Sequence, residues 1–149
     1  MKRIAFVAAV VAALSIAGVP AADASQYVRT ESGRVRCIIG PDKVACEASG
    51  PNSTGFPQAP MSLTESQCRN PCPGGIHYDL AEVTASGTFR WMDGNIGGGG
   101  TPQNDMVLAY GQTYDIQGWT VLPSSDGTRF TNDGTGHGMF VSVESVSSF

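Results

Sequence analysis

Residues 37–46 read Cys-Ile-Ile-Gly-Pro-Asp-Lys-Val-Ala-Cys, two short apolar runs that meet at a Gly-Pro-Asp-Lys turn and end on cysteines. Turn residues between two strand-like runs predict a β-hairpin. With Pro41 and Asp42 at the centre of the turn, Gly40 faces Lys43, Ile39 faces Val44, Ile38 faces Ala45 and Cys37 faces Cys46. Pairs along an antiparallel ladder alternate between hydrogen-bonded and non-hydrogen-bonded. This count makes Cys37 and Cys46 a non-hydrogen-bonded pair, the kind whose side chains stand closest. They are then within disulfide reach. Zinc would need C-x-x-C-like spacing and further ligands, and the chain has only two histidines, His77 and His137. A redox C-x-x-C is also missing. The pair reads as a structural disulfide, worth about 2–3 kcal/mol on the loop-closure model.

The same alternation continues on both sides of this hairpin. Apolar residues recur at every second position in short runs parted by Gly, Pro, Asn and Asp, and no window holds a helical period. Strands are predicted over 26–30, 35–39, 43–48, 76–83, 88–92, 106–110, 113–122, 128–132 and 138–146. Residues 62–67 (SLTESQ) predict a helical turn with Ser62 as N-cap and Glu65 three positions on. Between Tyr110 and Thr113 only Gly111 and Gln112 remain, which suits a type II′ hairpin. The predicted fold class is all-β, a compact antiparallel sandwich or a partly closed small barrel, stapled by disulfides. Residues 48–61 and 93–105 form two irregular stretches. The second holds Gly97 to Gly100, and since no Lys-Ser or Lys-Thr follows, it reads as a mobile surface loop and not a phosphate loop.

The chain opens MKRIAFVAAVVAALSIAGVPAADA, with Lys2 and Arg3 ahead of an apolar run and Ala22-Asp23-Ala24 at its end. That is the pattern of a secretory signal peptide over residues 1–24, leaving residues 25–149 as one all-β domain. The apolar run is short for a bilayer span, so no membrane span is expected after cleavage, and no cysteine follows it to carry a lipid. The expected location is secreted or in the cell envelope, where disulfides form. The formal net charge is −4, and losing Lys2, Arg3 and Asp23 makes the remainder more acidic. Basic residues do not cluster, which argues against nucleic acid and anionic lipid surfaces.

Cys68 and Cys72, in CRNPC, sit between prolines and are close enough in sequence to pair with each other, although four cysteines allow three connectivities. Residues 121–130, VLPSSDGTRF, repeat the spacing of the first hairpin, with Val121 and Phe130 in the cysteine places and Ser-Ser-Asp-Gly as the turn. A competing register would centre the turn on Asp126-Gly127.

The order SGRVRC, VACEA, a Pro-rich loop before Cys68, LAYGQTY, GWTV, GTRFTN and TGHGMFVSVESVSSF resembles a family of small secreted proteins of actinobacteria, mycobacteria included, a domain of unknown function. The likeness covers nearly all of residues 25–149. In that family the places of Val121 and Phe130 commonly carry cysteines, and another near Trp91 partners the one matching Cys68. This chain departs on both counts. The resemblance implies that an apolar contact replaces one bridge and that Cys68 turns to the additional Cys72. It implies no established activity.

The side chains able to carry chemistry are few. His137 lies between glycines and near Asp133, which suits a general base or a ligand contact and equally a turn whose glycines take positive φ; the turn reading is preferred. His77 and Asp79 are expected to face solvent, with Ile76, Tyr78 and Leu80 facing inward. Asp79 and Glu82 fall on opposite strand faces, no serine sits in G-x-S-x-G, and no third ligand joins the histidines into a metal site. Gln117-Gly118-Trp119 matches the Gln-x-Trp element of trefoil lectins once only, while Trp91, Trp119, Tyr110 and Tyr114 suit either a sugar platform or a core. Asn52-Ser53-Thr54 is an N-glycosylation acceptor pattern.

No catalytic, cofactor or metal set is therefore nominated, and a non-catalytic binding or structural module is expected. Its loops, 48–61, 93–105 and the His137 segment, would contact a cell-envelope polymer or a secreted protein. The alternatives are a small hydrolase using His137 with Asp133, and a protease inhibitor presenting Phe56 and Pro57.

Overall fold

The computed structural model describes residues 25–50, 53–97 and 102–149. Residues 1–24, where a signal peptide is expected, Asn52 of the acceptor pattern and Gly98 to Gly100 of the tetraglycine lie outside the described residues. The first half of the domain holds β1 (Gln26–Thr30), β2 (Val35–Ile39), β3 (Lys43–Ala48), β4 (Met61–Leu63), β5 (Ile76–His77), β6 (Leu80–Thr84) and β7 (Phe89–Met92). The second holds β8 (Met106–Leu108), β9 (Tyr114–Ile116), β10 (Trp119–Ser124), β11 (Gly127–Asn132), β12 (Gly138–Val141) and β13 (Val146–Ser148). No helix among the described residues is long and apolar enough to cross a membrane.

Two larger sheets share these strands. The first has the order β7-β6-β3-β2-β1-β8, the second β13-β12-β11-β10-β9, and β4 pairs with β5 as a small separate ribbon. All pairings are antiparallel except β1 with β8. None of the sheets closes, so of the two predicted architectures the sandwich is the one formed.

Both expected hairpin registers are present. Cys37 faces Cys46, Ile38 faces Ala45 and Ile39 faces Val44, and the Gly40 N–H donates to the Lys43 carbonyl at 2.9 Å. The two cysteines are bonded, with Cα atoms 4.0 Å apart. Across the sandwich Val121 faces Phe130 and Ser124 faces Gly127, which centres that turn on Ser125-Asp126. Cys68 and Cys72 form the second disulfide.

Period-two alternation sends one face of each sheet inward. Val28, Cys37, Ile39, Val44, Cys46, Ala81, Val83 and Leu108 come from the first sheet, and Ile116, Trp119, Val121, Phe130, Met139 and Val141 from the second. Burying each large side chain contributes about 1.5–3 kcal/mol. Trp119, fully buried, also donates from Nε1 to the Gly40 carbonyl at 2.9 Å, tying the second sheet to the turn of the cysteine hairpin.

Five local expectations are corrected. Gly111-Gln112 is not a hairpin turn, because β8 belongs to the first sheet and β9 to the second; the chain crosses between the two layers there. The two-residue hairpin lies instead at Gln117-Gly118, inside the predicted strand 113–122, with φ of 54° and 79° as a type I′ turn requires. Its signal was parity: Ile116 and Trp119 are both buried, yet residues three apart on one strand face opposite ways. Strands 76–83 and 138–146 likewise break, at residues 78–79 and 142–145. The helical turn is a 3-10 turn, Glu65–Gln67, capped by Thr64 and not Ser62, with the Thr64 N–H donating to Gln67 Oε1 at 2.8 Å.

The outer face of the first sheet carries charge. Arg36, itself buried, donates from Nε and Nη2 to Asp105 at 2.5 and 3.1 Å and from Nη1 to the Ile96 carbonyl at 2.8 Å, while Glu47 accepts the Ile96 N–H at 2.8 Å. The hydrogen bond that Arg36 donates to Asp105 raises the Arg36 pKa, so the charge is permanent. Residues 93–97 and 102–105 are thereby clamped onto the sheet. Glu82, also buried, takes Lys43 at 2.8 Å and Arg90 on its other oxygen. Burial pushes the Glu82 carboxyl up, and the hydrogen bonds from Lys43 and Arg90 outweigh that, holding it below the ordinary carboxylate range.

Candidate functional site

The fold uses the sequence-nominated residues for its own construction. His137 Nδ1 lies 3.3 Å from the Phe149 carbonyl, and its ring packs so closely on Gly87 that a methyl there would meet it at 2.8 Å. Asp133 accepts from Thr120 Oγ1 at 2.6 Å, and Thr135, the hydroxyl of the same loop, donates to the Ala85 carbonyl at 2.6 Å. His137 and Asp133 thus serve a turn that fastens the second sheet to the β6–β7 corner; no hydrogen bond joins them to each other.

The aromatic residues do not gather into one platform. Trp119 is in the core, whereas Trp91 is half-buried on the edge strand β7, with Phe89 edge-on at 5.2 Å and Phe56 tilted at 5.7 Å. Phe56 is itself fully buried, so the tip of a protruding loop is not where it stands. His77, expected to face solvent, is half-buried, with Nδ1 2.6 Å from the Ala59 carbonyl. Among the described residues no group of three or more His, Cys, Asp or Glu gathers as a metal site would require.

One end of the sandwich is different. Here the tips of the β1–β2, β10–β11 and β12–β13 hairpins meet Tyr110, which follows β8, around a cavity of about 130 Å³. Thr30, Ser32, Ser124, Ser125 and Ser142 supply hydroxyls, Val35, Val141 and Val143 the apolar wall, and Arg34 the charge. Residues from both sheets are needed to form it.

Each tip is held by its own turn chemistry. Gly33, at φ 70°, closes the first turn with its N–H on the Thr30 carbonyl at 2.9 Å, while the Ser32 N–H donates to the Tyr110 hydroxyl at 3.3 Å. Glu31 turns away from Arg34 and accepts the Tyr110 N–H at 2.9 Å. Ser124 Oγ donates to the Gly127 carbonyl at 2.9 Å in the second turn, and Ser142 Oγ accepts the Ser145 N–H at 2.9 Å in the third. Arg34 is exposed and its guanidinium has no hydrogen-bond or acidic partner among the described residues, unlike Arg36 two positions on.

Sequence reasoning missed this site because its members come from separate hairpins and none belongs to a motif. The available signal was general: sandwich folds gather their turns at two ends, where contacts are made. Compared with protein-family models, with curated proteins and with solved structures, the chain matches none of them.

Proposed function

We propose that this chain is an exported, non-catalytic binding module that contacts a cell-envelope polymer or a secreted protein through the turn end of its sandwich. The observation that carries the reading is Arg34, unpaired among the described residues, in a cleft lined by hydroxyl side chains and set on tips whose backbones are fixed from below by a packed core. A preorganised polar site of this kind binds without first ordering its loops. Support for export comes from the two disulfides, which persist in oxidising compartments, and from the signal-peptide pattern of residues 1–24. The engagement of His137 and Asp133 within the fold weighs against the hydrolase, and the burial of Phe56 against the inhibitor.

The test is cosedimentation of oxidised residues 25–149 with cell-envelope fractions of the native host, beside a pull-down from its culture supernatant. Saturable binding to either, reduced at least tenfold by Arg34→Gln with an unchanged melting curve, is the expected result. Binding to neither, or turnover of an envelope substrate that is lost in His137→Ala, would overturn it.

A further inference from the structure

We infer that the cleft at the turn end is a receptor for a free carboxylate, specifically the terminal carboxylate of a peptide that ends in a small side chain. This rests on reading that end as the binding surface, and two features of the cavity narrow the ligand.

Charge comes first. A guanidinium presents a planar fork of N–H donors that matches a carboxylate two bonds at a time, and Arg34 spends none of its donors on an acid among the described residues. The Tyr110 hydroxyl, which accepts the Ser32 N–H, keeps its own proton for a ligand, and Ser32 lies beside it, whereas the Ser124 and Ser125 hydroxyls already donate within their own turn. Asp126 stands in the same turn as Ser125, but its Oδ1 receives the Ser125 hydroxyl at 3.4 Å and it does not pair with Arg34.

Size comes second. Pockets for drug-sized ligands run from about 300 to 1,000 Å³, so a cavity of about 130 Å³ has room for one functional group with a small appendage. Val35, Val141 and Val143 line it, giving a methyl-sized apolar group a place beside the carboxylate.

An unpaired polar atom lies close by, outside the lining. Thr128 is fully buried, and its Oγ1 has no hydrogen-bond partner among the described residues. It adjoins Gly127 in sequence and faces Val141 across the ladder, and both of those residues line the cavity. Thr128 itself does not line the cavity, so its unpaired hydroxyl is a cost borne by the packing beneath the tips and not a ligand contact.

The experiment is an amide chemical-shift titration of oxidised residues 25–149 with N-acetylalanine, N-acetylalaninamide, glucuronate and inorganic phosphate. Saturable shifts confined to residues 31–35, 124–128 and 141–143 are expected with N-acetylalanine. They should fall at least tenfold in affinity for the amide, and again for Arg34→Gln against an unchanged spectrum elsewhere. Equal responses to the acid and its amide, no response at tens of millimolar, or an Arg34→Gln titration like the native one would each overturn the carboxylate site. Shifts produced by glucuronate or phosphate but not by N-acetylalanine would overturn the peptide assignment. The two readings fail separately. Envelope or partner binding that survives Arg34→Gln leaves the binding module standing without this site, and a specific titration without any cosedimentation or pull-down does the reverse.

Discussion

The Val121–Phe130 pair offers a direct test of how register and packing trade against each other. It is a non-hydrogen-bonded pair in β10–β11, the equivalent of Cys37–Cys46 in β2–β3, so Val121→Cys with Phe130→Cys is expected to oxidise to a third disulfide. Closing a loop of about ten residues stabilises by about 2.7 kcal/mol at 25 °C on the chain-entropy relation. Against this stands the loss of Phe130, which is fully buried. Truncating a buried Phe costs about 3–5 kcal/mol. The doubly substituted protein is therefore expected to fall about 1–2 kcal/mol below the native one, yet to stand about 2 kcal/mol above Phe130→Ala, which carries the void without the bridge. At about 4 °C per kcal/mol for a domain of this size, that is about 8 °C between the two variants. Thermal unfolding gives the comparison, and a thiol count on the folded protein shows whether the bridge forms. Two reactive thiols in folded protein would refute the register, and a double variant melting no higher than Phe130→Ala would refute the energetic reasoning.

Three further expectations concern single positions. Glu82→Gln removes a buried carboxylate from between Lys43 and Arg90 and is expected to cost about 1–3 kcal/mol at pH 7. Because the folded pKa of Glu82 lies below its unfolded value, its contribution is complete above the unfolded carboxyl pKa and is lost as pH falls through the folded one. Urea unfolding of both proteins from pH 7 down to pH 3 should show the gap closing; a constant gap would mean that the charge is not what matters. Thr128→Val is expected to leave stability unchanged or raise it by about 1 kcal/mol, and a loss above that in chemical unfolding would show that Oγ1 is paired after all. Gly127→Ala forces a methyl against the Phe140 ring and the Val141 carbonyl at φ 149°, so a loss of about 1–3 kcal/mol in thermal unfolding is expected, and a neutral variant would contradict that packing.

Local order was legible where the chain writes both a period and a turn. The cysteine hairpin carries Ile-Ile, a Pro-Asp turn and matched cysteines, and its register followed by counting. The 121–130 hairpin was legible for the same reason. What stayed hidden depends on residues far apart along the chain. Nothing within residues 106–122 says that β8 pairs parallel with β1 while β9 pairs with β10, since both strands offer inward apolar residues that suit either sheet. Arg36 and Asp105 are separated by 69 positions, and each alone reads as an ordinary surface charge. Arg34 and Arg36 show the limit most clearly. Both occupy the SGRVRC segment, yet one is sealed by Asp105 and Ile96 and the other stands open at the turn end.

That divergence follows from strand parity and from where β2 begins. Arg36 faces away from the core because Val35 and Cys37 face into it, and a charge on that outer face, once covered, must find partners; Asp105 and the Ile96 carbonyl meet the need. Arg34 precedes the first residue of β2 and escapes the alternation altogether. The same holds for Ser125 and Ser142, which lie between strands, while Cys37–Cys46 and Val121–Phe130 fix the hairpins below the tips. Side chains at the tips can change without disturbing a buried pair, and substitutions there away from glycine are expected to alter binding with little effect on stability. Arg34→Gln is therefore the sharpest probe of the site: its side chain belongs to no described ion pair and no core contact, so any binding it abolishes cannot be charged to the fold.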